Sequence, residues 1–181
     1  SISNIGKFKL IISRVKYVAK NVVFVKKWSK DELEKSSKST NINLGFQQDF
    51  DFTFKNFKIL LVRDPHPLLN KAKALRHESF FKGAKRTEID SDEFDSCCDH
   101  LIVIDRSISE DHVVGTYRLL VKNKIVKSMK FYCESEFDLT NLLKMKNISM
   151  LEAGRSCVHE NYRDGRIIKL LWRGLAYYIV K

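Results

Sequence analysis

From residue 50 onward the apolar positions switch between a period of two and the helical period. Phe50, Phe52 and Phe54 alternate with polar residues and 57–62 is a short apolar run, which together predict one or two strands. Pro65 and Pro67 stop them and open a helix carrying Leu68, Leu69, Ala72, Leu75, Arg76 and Phe80. An acidic loop follows at 88–95. Residues 100–105 (HLIVID) read as a buried strand and 112–121 (HVVGTYRLLV) as another, with a turn around 107–111 that makes the two a hairpin. Residues 131–143 mix a short strand with a small helix. A strand at 148–159, a turn at 161–165 and a helix at 166–181 close the chain, the helix with Ile167, Leu170, Leu171, Gly174, Leu175 and Tyr178 on one stripe. Strands with helices inserted between them predict an α/β or α+β sheet protein.

Upstream the pattern differs. Residues 5–28 interleave apolar residues with lysines, and Ile11, Val15, Val18 and Val22 keep the i, i+4, i+7, i+11 spacing of a helix, with Lys16 and Lys20 on another face. A basic amphipathic segment of this kind either attaches to an anionic membrane surface or packs on the body of the protein. Residues 31–48 are polar and rich in Ser, Lys and Asn, as a linker is. The expected organisation is a basic arm at 1–30, a linker at 31–48 and one folded domain at 49–181. The last helix runs to the final residue without a stop signal and there is no initiator Met, so both ends read as cut and the domain as incomplete at its C-terminus.

Length and charge narrow the class. A chain of 181 residues supports one domain with a sizeable core. No apolar run approaches the roughly 18–20 residues of a membrane span, and no secretory leader is visible, so the expected location is cytoplasmic. The net charge is +11, but residues 1–30 hold eight Lys or Arg and no acid, leaving 25 bases against 22 acids in the rest. A nucleic-acid binder would carry its basic charge on the folded body, so no nucleic-acid partner is expected. Cys97, Cys98, Cys133 and Cys157 match no zinc spacing and read as reduced thiols. His66, His77, His100 and His112 are scattered and read as caps or surface residues, with no metal site expected.

Three arginines stand where apolar residues are expected: Arg76 in a helix, Arg118 in a strand and Arg155 near the end of another. A half-buried guanidinium must be paired. Asp90, Asp92 and Asp95 in the acidic loop and Glu152, three residues before Arg155, are the available acids. The set is either a structural ion network or a pocket for a zwitterionic or anionic substrate. A second constellation is strand, then Arg163-Asp-Gly-Arg166, then helix, an arrangement that can cradle a phosphate.

Several blocks are together more specific than any one motif: ALRHESFF (74–81), DSDEFD (90–95), CDHLIVID (98–105), VGTYRLL (114–120), FYCESEF (131–137) and LEAGRSCV (151–158). With Tyr162-Arg163 and Leu170-Leu-Trp172 beyond, they resemble the ornithine N-acyltransferases of ornithine-lipid synthesis over roughly residues 58–181. A sparser set, Arg76, Phe80, Asp92, Asp95, Arg118, Glu152 and Arg155, resembles the related acyl-homoserine-lactone synthases. The resemblance implies a GNAT-like fold, a mixed and mostly antiparallel sheet flanked by helices. It also implies transfer of a 3-hydroxyacyl chain from the phosphopantetheine of acyl carrier protein to the α-amine of ornithine, giving lyso-ornithine lipid, with no cofactor bound by the enzyme.

On that reading Glu152 takes the amine proton, with His159 a poor second, and Arg155 assists. Arg76, Asp92, Asp95 and Arg118 bind substrate. Backbone amides near Ser156 and Cys157 polarise the thioester carbonyl, while Arg163, Gly165 and Arg166 hold the phosphopantetheine phosphate. Cys157 as a nucleophile is disfavoured, because direct transfer from a thioester needs no thiol. The chain departs from the usual Q/R-x-x-G-x-G/A signature, since Gly165 comes one residue early and Ile167 and Ile168 follow. The basic arm suits two acidic partners, acyl carrier protein and the cytoplasmic face of the inner membrane. Two rival readings remain: a lactone-forming synthase using S-adenosylmethionine, and a non-catalytic module that only binds membrane or carrier protein.

Overall fold

Strand β5 (Asp99–Asp105) is buried at every position, and a strand buried on both faces needs a layer on each side. Its odd-numbered residues Leu101 and Val103 join one apolar cluster, while Ile102 and Ile104 join another. The computed structural model describes residues 8–12, 21–27, 50–81, 89–122 and 130–180; the predicted linker at 31–48 lies outside them. Among the described residues seven strands form one sheet. They are β1 (Phe8–Ile12), β2 (Asn21–Lys27), β3 (Asp51–Phe54), β4 (Phe57–Val62), β5, β6 (Val113–Val121) and β7 (Ile148–Val158), in the order β1-β2-β7-β6-β5-β4-β3. Each neighbouring pair is antiparallel.

Helix α1 (Pro67–Phe80) covers one face. His66 caps it, its Nδ1 accepting from the Leu68 amide at 3.2 Å. The short α2 spans Thr140–Leu143. Helix α3 (Arg166–Val180) covers the opposite face, and its predicted stripe of Ile167, Leu170, Leu171, Leu175 and Tyr178 is buried there. A Cβ on Gly115 of β6 would lie 2.5 Å from Ile167 Cγ2, so the absent side chain lets α3 sit close. Two tyrosines pin that helix along β5: Tyr162 Oη donates to Asp105 at 2.9 Å just before it, and Tyr178 Oη donates to Asp99 near its end.

The α+β architecture agrees with the sequence reading, and three details do not. The spacing at 11–22 predicts a helix, yet 11–12 end β1 and 21–22 begin β2. Strand β2 pairs with β7 from Asn21 opposite Gly154 to Lys27 opposite Ile148. Its β-branched and aromatic run buries Val23 and Val25 on one face and Phe24 on the other, a preference that only the distant partner strand can satisfy. The strand expected within 131–143 is a 3₁₀ turn, Tyr132–Ser135, stabilised by Glu134 accepting from the Phe131 amide at 2.6 Å. His77 and His100 are buried and not on the surface.

Candidate active site

The site begins with an irregularity in β7. Thr116 lies opposite Cys157 but Arg118 lies opposite Gly154. Two residues, Arg155 and Ser156, therefore oppose the single Tyr117, which is a β-bulge. Arg155 takes φ +51° to make it, a left-handed conformation that costs a non-glycine residue roughly 1–2 kcal/mol. The extra residue reverses the alternation of the strand. Without it Arg155 and Cys157 would follow Leu151 and Ala153 onto the α3 face. With it Cys157 packs beneath α1 beside Ala72 and Leu75, and Arg155 reaches the acidic loop.

There the three arginines and three aspartates singled out in the sequence do meet. Arg76, 1% exposed, grips Asp95 with two parallel bonds of 2.7 and 2.8 Å. Its Nε lies 2.9 Å from Asp90 Oδ2. Arg118 donates to Asp92 at 2.6 Å and covers the Phe94 ring. Arg155 is held differently. Its guanidinium lies between the rings of Phe80 and Tyr132, 5.7 and 5.6 Å from their centres, and approaches Asp90 and Asp92 only to 3.5 Å. Burial alone would raise the Asp95 pKa, but the bonds and charge of Arg76, with help from Arg118, hold it well below the usual carboxylate range.

Glu152 faces the same side and is 3% exposed. Its two oxygens accept from the backbone amides of Tyr132 and Cys133 at 2.8 and 2.9 Å. Glu152 thus anchors the 3₁₀ turn whose Tyr132 ring packs on Arg155; its hydrogen-bond partners are those amides, while the ion partners of Arg155 are Asp90 and Asp92. Burial pushes the Glu152 pKa up, against the opposing pull of the two amides and Arg118. A cavity of about 10 Å³ lies against Phe94, Arg118, Leu120, Tyr132, Glu152 and Gly154, room for about one water.

Past the bulge, β2 no longer accompanies β7. The outer edge of residues 155–158, which includes Ser156 and Cys157, has no strand partner among the described residues. Burial pushes the Cys157 thiol up to about 12, so it stays protonated near neutrality. Arg163, Gly165 and Arg166 sit beyond the end of this strand, apart from the charged cluster. Gly165 takes φ +89°, Arg163 Nε donates to the Val158 carbonyl, and the start of α3 already holds a carboxylate. Asp164 accepts from the Arg166 amide at 2.9 Å and from its Nε at 2.6 Å. Sequence reasoning missed that cap, and it missed Tyr132 and Phe94 as ring partners of the arginines. The aromatic pair within FYCESEF was the available signal for Tyr132.

The GNAT acetyltransferase domain family matches residues 72–173, an interval that contains most of α1, the first half of α3 and the whole charged cluster. The chain belongs to that family. A protein of Agrobacterium fabrum named L-ornithine N(alpha)-acyltransferase is 46% identical over 102 residues, covering 54% of this chain and 35% of its own length. Proteins of the same name from Brucella abortus and Rhodobacter capsulatus are 38% and 36% identical, over 61% and 69% of this chain and 43% and 52% of theirs. The resemblance seen in the sequence blocks is thereby borne out. The chain spans only about a third to a half of the length of these relatives. No solved structure matches it.

Proposed function

We propose that this chain supplies the reaction face of an L-ornithine Nα-acyltransferase that takes a 3-hydroxyacyl chain from acyl carrier protein. The observation that carries the reading is the meeting, on one face of β7, of a buried carboxylate and a loosely held guanidinium beside a strand edge that has no strand partner among the described residues. The names of the relatives support the acceptor. In this reaction the α-amine nitrogen attacks the thioester carbonyl. The N–C bond forms, the C–S bond breaks, the amine proton passes through a water to Glu152, and the leaving thiolate is protonated in turn. A positioned base of this kind contributes about 10²–10⁴-fold. Backbone amides along 155–158 are the proposed donors to the carbonyl oxygen, and one such donor is worth ~2.7–4 kcal/mol. Arg163 and Arg166 remain the proposed partners of the phosphopantetheine phosphate, with the Asp164 carboxylate as its competitor at the head of α3.

The test is amide formation from 3-hydroxyacyl carrier protein and ornithine, read by mass spectrometry on this chain and on its longest natural form. A product with the mass of lyso-ornithine lipid from either supports the reading. A lactone formed only with S-adenosylmethionine replaces it with the signal-synthase reading, and no product from any combination leaves a binding module.

A further inference from the structure

Within the cluster the cations are not equivalent. Arg76 and Arg118 are saturated by short bonds to Asp95 and Asp92 and are 1% and 6% exposed. The Arg155 side chain forms no hydrogen bond among the described residues, and its two ion contacts are both 3.5 Å. Its side chain is 24% exposed, as is that of Asp92. Asp92 spends one oxygen on Arg118 and the Phe94 amide, while among the described residues Oδ2 meets only Arg155, at 3.5 Å. The guanidinium is flanked by the Phe80 and Tyr132 rings, which contact it without occupying its donors. A positive backbone φ holds it there.

We propose that Arg155 and Asp92 Oδ2 form the recognition pair for an α,ω-diamino acid. Arg155 takes the α-carboxylate in a forked hydrogen bond, and Asp92 takes the side-chain ammonium. The inference rests on the acyltransferase reading and deepens it. The loose ion pair of the free site is exchanged for the two charges of the substrate, so neither protein charge is left unpaired in either state. A planar guanidinium with vacant donors suits a carboxylate. The α-amine is then left unclamped, free to give up its proton and attack. Arg76 and Asp95 become the frame that holds Asp92 and its loop and do not themselves touch substrate.

The experiment compares ornithine with 1,4-diaminobutane, which lacks the α-carboxylate, and with norvaline, which lacks the side-chain amine, as acceptors. Wild-type protein and the Arg155→Gln and Arg155→Lys variants are assayed in the longest natural form, with folding checked by thermal melting. In the wild type each truncated acceptor should lose roughly 10- to 100-fold in kcat/KM, the range for one hydrogen bond to a charged group. Arg155→Gln should cut the preference for ornithine over diaminobutane by at least about tenfold, chiefly through KM, and Arg155→Lys should restore part of it. Equal losses on ornithine and diaminobutane in a folded variant would overturn the assignment of Arg155. A wild type indifferent to norvaline against ornithine would overturn that of Asp92. A wild type that acylates none of the three, while folded, would instead remove the acyltransferase reading itself.

Discussion

Asp95 receives both terminal nitrogens of Arg76, so replacing it leaves a guanidinium that is 1% exposed with half its partners gone. Breaking a buried pair from one side costs about 3–5 kcal/mol, and Asp95→Asn should lose that much in urea unfolding. Because the folded pKa of Asp95 lies below its unfolded value, the carboxylate's contribution is fully present above the ordinary aspartate range. It is lost as pH falls toward the folded value. Wild type should therefore lose stability on acidification more steeply than Asp95→Asn, and parallel curves would show that the charge contributes nothing. Glu152 shifts the other way. Burial raises its pKa, so a base at this position becomes protonated, and activity falls, at a pH above that of an exposed glutamate. The acid limb of kcat/KM should lie correspondingly high. Glu152→Gln should lower turnover by about 10²–10⁴-fold and abolish that limb; if the limb persists unchanged, another group is the base.

Single elements carry the next level of control, and the bulge in β7 is the instructive one. Arg155 occupies a conformation in which glycine is at ease. Arg155→Gly should be more stable than Arg155→Ala by about 1 kcal/mol, although both lose the guanidinium. Chemical denaturation of the two variants decides it, and an Ala variant as stable as the Gly one would remove the strain argument. The same strand shows what is legible in a sequence. Its extent, and the meeting of Arg76, Arg118 and Arg155 with the 90–95 loop, follow from period and from the need to pair buried charge. The bulge does not follow, because an extra residue changes no local pattern and appears only as a change of register against β6. The helical spacing from Ile11 to Val22 misleads for a related reason. It reaches only the first residues of β2, and the hydrogen bonds that favour the extended form there come from residues 148–154, far along the chain. Glu152 was legible as an acid close to Arg155 in sequence but not as the anchor of the 132–135 turn, since backbone amides carry no side-chain signature.

At the scale of the molecule, the placement of β1 and β2 changes how the excess positive charge must be tested. Of the eight basic residues in 1–30, Lys9, Lys26 and Lys27 belong to these strands, while Lys7, Arg14, Lys16, Lys20 and Lys30 lie outside the described residues. Deleting 1–30 would remove β2 and strip the partner from residues 148–154 of β7, so lost membrane binding could not be told from a damaged sheet. Replacing only the five by Gln leaves the paired strands intact. Each lysine or arginine near an anionic bilayer contributes about 1 kcal/mol. If this segment meets a membrane, the variant should sediment far less with anionic vesicles, and neither protein should sediment with neutral ones. The near balance of 25 bases and 22 acids over 31–181 gives the remaining chain little attraction of its own to such a surface. Undiminished sedimentation of the variant with anionic vesicles would therefore move the contact to the exposed apolar side chains, such as Phe80, Phe81 and Ile89, and away from the basic segment. Loss of sedimentation together with retained acylation of ornithine in solution would separate the docking of the protein from its chemistry.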